Sequence, residues 1–199
     1  MKSTKLAIAL ALALTSAAHA GDSVSLTTSS ERNVHDINKR TNSLYTLNYI
    51  HSFESGFGIG AQYNFSQTPK TNTVKSLAEV NGYYTYKINN ELSVRAGLGL
   101  GERFQSYTKN TSSSGNFPFY AVYGSVDYKL NDRITWTAIS YRYRNSFDNV
   151  YAFETHQYST GVNYAVTNNI SVAARIYQKT DENFKPTANG VSVGLTSKF

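Results

Sequence analysis

Arginine and lysine are the residues in this chain best placed for chemistry. If each alternating segment is read by parity, Glu79, Lys87, Arg95, Arg103, Asp127, Lys129, Arg142, Arg144, Arg175 and Lys179 fall on the face opposite the apolar positions. Eight of these ten are basic. A guanidinium offers forked donors to carboxylates, so a wet enclosure lined this way attracts anions. The same side chains can instead fill a narrow interior as Arg–Glu pairs. Glu79 and Asp127 are the acids at hand for that role, and both readings stay open. Covalent chemistry has less support. The chain has no cysteine, which excludes disulfides, thiolate metal sites and thiol nucleophiles. Beyond residue 20 the histidines are His35, His51 and His156. His35-Asp36 lies in a polar loop, and no nucleophile motif surrounds any of the three. Neither a His/Glu metal cluster nor a Gly-rich phosphate loop is present, so no cofactor and no metal is expected. Gly97, Gly99 and Gly101 alternate within a strand, where they admit close packing rather than cradle phosphate.

These cations need strands to hold them. In 57–67, Phe57, Ile59, Ala61, Tyr63 and Phe65 alternate with Gly58, Gly60, Gln62, Asn64 and Ser66. A period of two puts the sets on opposite faces of a strand. The pattern recurs: Leu92, Val94, Ala96, Leu98 and Leu100; Tyr158, Thr160, Val162, Tyr164 and Val166; Ile170, Val172, Ala174 and Ile176. About ten alternating residues suffice for a tilted strand to cross a bilayer. In 134–146 the phase slips. Ile134, Trp136 and Ala138 share one face, while Ile139, Tyr141 and Tyr143 claim it further on. A β-bulge near Ala138 reconciles them.

Ten strands emerge, with 12 or 8 as alternatives. Connections after the second, fourth, sixth and eighth are about three residues long; the others are longer and polar. That asymmetry marks a transmembrane antiparallel up-and-down β-barrel with short periplasmic turns and external loops. An even count puts both termini in the periplasm. A secreted sandwich or lipocalin-like barrel would not explain so charged an interior. Lys2 and Lys5, the apolar run 6–14 and Ala18-His19-Ala20 describe a cleaved signal peptide over residues 1–20, leaving one domain at 21–199. Without Lys2 and Lys5, 17 basic side chains face 13 acidic ones, a charge of +4. Export makes nucleic acid an unsuitable partner. Mean hydropathy is −0.40, as expected where only alternate positions meet lipid. The 16 tyrosines suit membrane–water boundaries.

The segment from Val191 to Phe199 resembles the terminal strand of bacterial outer-membrane β-barrel proteins. The resemblance implies that Phe199 is the signal read by the barrel-assembly machinery, with Ser197 where Tyr or an apolar residue is common. The order of segments also resembles the oligogalacturonate-specific porin family. It does so through His51-Ser52-Phe53-Glu54-Ser55-Gly56-Phe57-Gly58, Tyr84-Thr85-Tyr86-Lys87 and Tyr141-Arg142-Tyr143-Arg144-Asn145. That family is built from twelve strands in a longer chain, so a ten-stranded relative would be narrower. The resemblance implies a monomeric outer-membrane porin for acidic oligosaccharides, with Arg142 and Arg144 guiding the sugar. The expected function is passive diffusion of small anionic solutes through a barrel set among outer-membrane lipids and lipopolysaccharide in a Gram-negative cell. The alternatives are a closed structural or adhesive barrel acting through its loops, and an outer-membrane lipid hydrolase or protease. The expectation is that the chain is not an enzyme.

Overall fold

The computed structural model describes residues 21–68, 73–107, 115–148 and 153–199. The proposed signal peptide lies outside the described residues. Ten strands run in chain order: β1 (Asp22–Arg32), β2 (Arg40–Ser52), β3 (Phe57–Thr68), β4 (Thr73–Lys87), β5 (Leu92–Tyr107), β6 (Phe117–Lys129), β7 (Ile134–Ser146), β8 (Thr155–Ala165), β9 (Ile170–Thr180) and β10 (Pro186–Lys198). Each pairs antiparallel with its chain neighbours, and β1 pairs with β10, from Ser23↔Lys198 to Arg32↔Asn189. The sheet is therefore a closed barrel with no free edge, which is the condition for a sheet to lie in hydrocarbon.

Side-chain alternation gives the barrel its two surfaces. Leu98, Val162, Val193 and Leu195 point outward, with Leu98 68% exposed. Asn64, Ser66, Glu79 and Arg144 sit on the opposite parity and are buried. Apolar atoms facing out and ionised groups facing in invert the order of a water-soluble protein, as a lipid solvent requires.

One end of the barrel is closed by tight turns at 53–56, 88–91, 130–133 and 166–169. Three of them share one device. Asn89 Oδ1 accepts from the Glu91 and Leu92 N–H groups at 2.8 and 2.7 Å. Asn131 Oδ1 does the same for Arg133 and Ile134, at 2.9 Å each. Thr167 Oγ1 serves Asn169 and Ile170 at 3.2 and 3.0 Å. A short polar side chain satisfies donors that the turn cannot otherwise pair. The fourth turn uses Gly56 at φ 89°, a conformation that favours glycine.

The phase slip in β7 is a bulge. Val126 pairs with Ile139 and Asp127 with Thr137, so Ala138 has no partner on β6. On the other side Thr137 pairs with Gly161 and Ser140 with Ser159, leaving Ala138 and Ile139 opposite Thr160 alone. Thr160 repairs the ladder: its Oγ1 donates to the Thr137 carbonyl at 2.8 Å and accepts from Trp136 Nε1 at 3.1 Å. The extra residue returns Ile139, Tyr141 and Tyr143 to the outer face and turns Ser140, Arg142 and Arg144 inward.

Candidate functional site: the barrel interior

The inward face of the loop-side half is built around two carboxylates. Glu79 on β4 receives Arg144 Nε at 3.1 Å and Nη2 at 2.8 Å, both on Oε2. Tyr123 OH donates to Oε1 of the same carboxylate, and Arg144 Nη2 reaches Tyr123 OH at 3.3 Å. The side chains of Arg144 and Glu79 are 4% and 0% exposed, so the pair is dry. It fixes β7 against β4 and β6 across the interior. The second carboxylate is Glu31 on β1. It takes Lys179 Nζ, Tyr177 OH at 3.2 Å and Asn42 Nδ2 at 3.3 Å, which braces the barrel beside its closing seam.

Glycines make room for these groups. A Cβ at Gly99 would stand 2.7 Å from Glu79 Oε1, and one at Gly97 2.9 Å from Tyr83 Cβ. The strand with alternating glycines is therefore the floor on which the inward side chains lie, as its spacing suggests.

Beside the Glu79 bridge lies an apolar group. Phe117, Phe119, Ala121 and Phe153 pack together, with Leu77 and Tyr123 against them. The Arg103 guanidinium stands 5.2 Å from the Phe117 ring centre and 5.0 Å from that of Phe153. Together with Glu79 and Arg144 this group narrows the loop-side half of the interior. The turn-side half is more open. It holds a cavity of about 190 Å³ whose lining includes Asn48, Gln62, Arg95, Asp127, Ser140 and Arg175. Arg95 lies over the Tyr83 ring at 4.9 Å and donates from Nε to Thr85 Oγ1 at 3.2 Å. Asp127 accepts from Thr137 Oγ1 at 2.6 Å and Ser125 Oγ at 3.2 Å.

All eight basic residues expected on the inward face have inward parity, but they do three different things. Arg144 and Lys179 are held by carboxylates. Lys87 and Lys129 belong to the turn-end rim, where Lys129, 46% exposed, donates to Asp132 Oδ1 at 2.6 Å. That hydrogen bond holds the Asp132 carboxyl below its usual range. Arg95, Arg103, Arg142 and Arg175 line the interior itself. Arg142 donates to Gln157 Oε1 at 2.7 Å, while its Nε meets no protein acceptor. It lies within electrostatic reach of both Arg144 and Lys179.

Sequence reasoning missed Lys75 and Glu31. Lys75 falls inside 68–76, a polar stretch that reads as a loop, yet β4 already begins at Thr73. Its parity with Glu79 was the available signal. Glu31 alternates with Ser29 on β1, where the weak apolar pattern hid the inward face. Phe117 and Phe119 were missed because inward aromatics break the rule of apolar outside.

The histidines are not brought together. His35 sits in the β1–β2 loop, its N–H donating to Asn33 Oδ1 at 2.8 Å. His51 donates from Nδ1 to Asp22 Oδ1 at 2.5 Å on the outer side of the turn end, and Tyr49 OH donates to the same atom at 3.1 Å. His156 shares a 2.7 Å hydrogen bond with Tyr141 OH and stacks on Phe184 near the loop end. Among the described residues, no three His, Asp or Glu side chains converge to hold a metal.

A closed ten-stranded barrel, apolar outside and ionised within, is an outer-membrane β-barrel. Solved structures of that kind align over nearly their whole length. The NanC porin matches with a TM-score of 0.51 at 13% identity, over 88% of this chain and 100% of that one. The translocator domain of the autotransporter NalP from Neisseria meningitidis matches at 0.52 and 9%, over 99% and 96%. The KdgM porin aligns over 88% and 99% at 16% identity with a TM-score of 0.47. No protein-family model and no curated protein sequence matches the chain. Pores and translocators share this fold, so the cargo has to be argued from the interior.

Proposed function

We propose that the barrel is a narrow outer-membrane channel favouring small anionic solutes, with its loop end outside the cell and its turn end in the periplasm. One observation carries the reading. Among the described residues within the barrel, Lys75, Arg95, Arg142, Arg144, Arg175 and Lys179 outnumber the carboxylates of Glu31, Glu79 and Asp127, six to three. Each uncompensated charge withdrawn from water costs several kcal/mol by general estimate, on the order of 5. Water or an anion inside offsets that cost, and a hydrated cationic passage attracts anions. The cavity lined by Arg95, Asp127 and Arg175 fits this use. Arg142 and Arg175 are the proposed selectivity residues. Arg144 is a brace, because Glu79 occupies its guanidinium.

Acidic oligosaccharides such as oligogalacturonate would need the Phe117–Phe119–Phe153 group to give way, so the proposed solutes are smaller. The same group and the Glu79–Arg144 bridge favour a second reading: a closed barrel that acts through its loops. Recording from single barrels in planar bilayers separates the two. The channel reading expects steady conductance with a reversal potential favouring anions, which moves toward zero in Arg142→Ser and Arg175→Ser. Persistent silence supports the closed barrel. An unchanged reversal potential in both variants refutes the assigned role of these arginines.

A further inference from the structure

The bulge in β7 leaves a depression on the outer surface. The groove measures about 610 Å³ and runs over Ile139, Tyr158, Thr160, Ile176 and Val191, with Arg32 at its loop-side end. Register sets these residues in two tiers. Arg32, Asn189, Gln178, Tyr158 and Tyr141 lie in one row across five strands. Val191, Ile176 and Thr160 make the next row toward the turns. The upper tier is polar: Gln178 Nε2 donates to Asn189 Oδ1 at 3.0 Å. Arg32 Nη1 donates to the Ile37 carbonyl at 3.1 Å, which draws the β1–β2 loop over the groove's end. Arg40 pairs with Arg32 across the two strands, and Lys39 precedes it. The nearby carboxylates serve turns: Asp36 accepts from the Asn38 N–H, and Asp181 from the Asn183 and Lys185 N–H groups.

An apolar trough below a cationic rim matches one kind of molecule in shape and charge: an acyl chain attached to a phosphate. We propose that this groove binds a phosphorylated acyl glycolipid of the outer leaflet, with a chain along Ile139, Ile176 and Val191 and its phosphate on Arg32. Arg40 and Lys39 add to the local field. The inference rests on the proposed orientation, because only the outer leaflet meets the loop end.

Trp136 is the chain's one tryptophan. Its indole donates to Thr160, a groove residue, so its emission reports on the groove. The barrel is reconstituted in phosphatidylcholine with brominated chains, which quench that emission. Unbrominated lipid A is then added as competitor. The expected result is recovery of emission at a few mole percent of lipid A, well beyond simple dilution of bromine. Dephosphorylated lipid A restores only the dilution value, and so does lipid A with Arg32→Gln. Recovery that merely follows dilution overturns the proposal, as does full recovery with the dephosphorylated lipid or with Arg32→Gln. Equal recovery by phosphatidylglycerol overturns the glycolipid assignment. Orientation is checked separately by labelling Asn38→Cys on intact cells with an impermeant maleimide. Labelling without competition discards the groove and keeps the orientation; absence of labelling discards the orientation itself.

Discussion

Glu79 is held tightly from two other strands. It is wholly buried and accepts from Arg144 twice and from Tyr123. Removing its charge strands a buried guanidinium, which costs about 3–5 kcal/mol in comparable buried pairs. Glu79→Gln should therefore lower the temperature at which the folded barrel converts to the slower unfolded band on a heat-titrated gel. It should also raise single-channel conductance, because the cross-brace loosens. A variant with unchanged melting would mean that the bridge contributes nothing to the fold. Arg142 and Arg144 look alike in sequence, two residues apart in Tyr-Arg-Tyr-Arg. Their difference lies in partners from other strands: Gln157 for one, Glu79 for the other. No local pattern discloses a partner 65 positions away.

Strands were the most legible level. Alternation alone places the segments and their two faces, since a period of two leaves no freedom once one face meets lipid. The slip in β7 was legible as well, because two apolar phases conflict within thirteen residues. Strand ends were not. Thr73–Lys87 and Phe117–Lys129 begin earlier than polarity suggests, because emergent loop-end residues read like loop. What repairs the bulge also lay hidden, since Thr160 is an ordinary strand residue until its neighbours are known. Thr160→Val removes the donor to the Thr137 carbonyl and the acceptor for Trp136. Each buried polar group left unpaired costs about 1–3 kcal/mol. The variant should melt earlier, and Trp136 emission should shift as its indole loses a partner. Identical melting curves and spectra would show that another group takes over.

Closure is a property of the whole chain. The first strand waits for the last, and β10 must find β1 across more than 150 residues. Pairing over such separations is slow. The charge balance of the interior is likewise collective, since cations from β4 to β9 meet only when the ring is complete. The consequence of the bulge belongs at this scale too. In genetic terms, losing the single codon for Ala138 changes no other amino acid. It would nevertheless exchange inside for outside along the rest of that strand. Two guanidiniums would enter hydrocarbon, at about 2–4 kcal/mol each near mid-depth, while Tyr141 and Tyr143 would crowd the water-facing side. Such a deletion should abolish assembled barrel on a semi-native gel, whereas Ala138→Ser should be tolerated. This one position is thus far more sensitive to being skipped than to being changed.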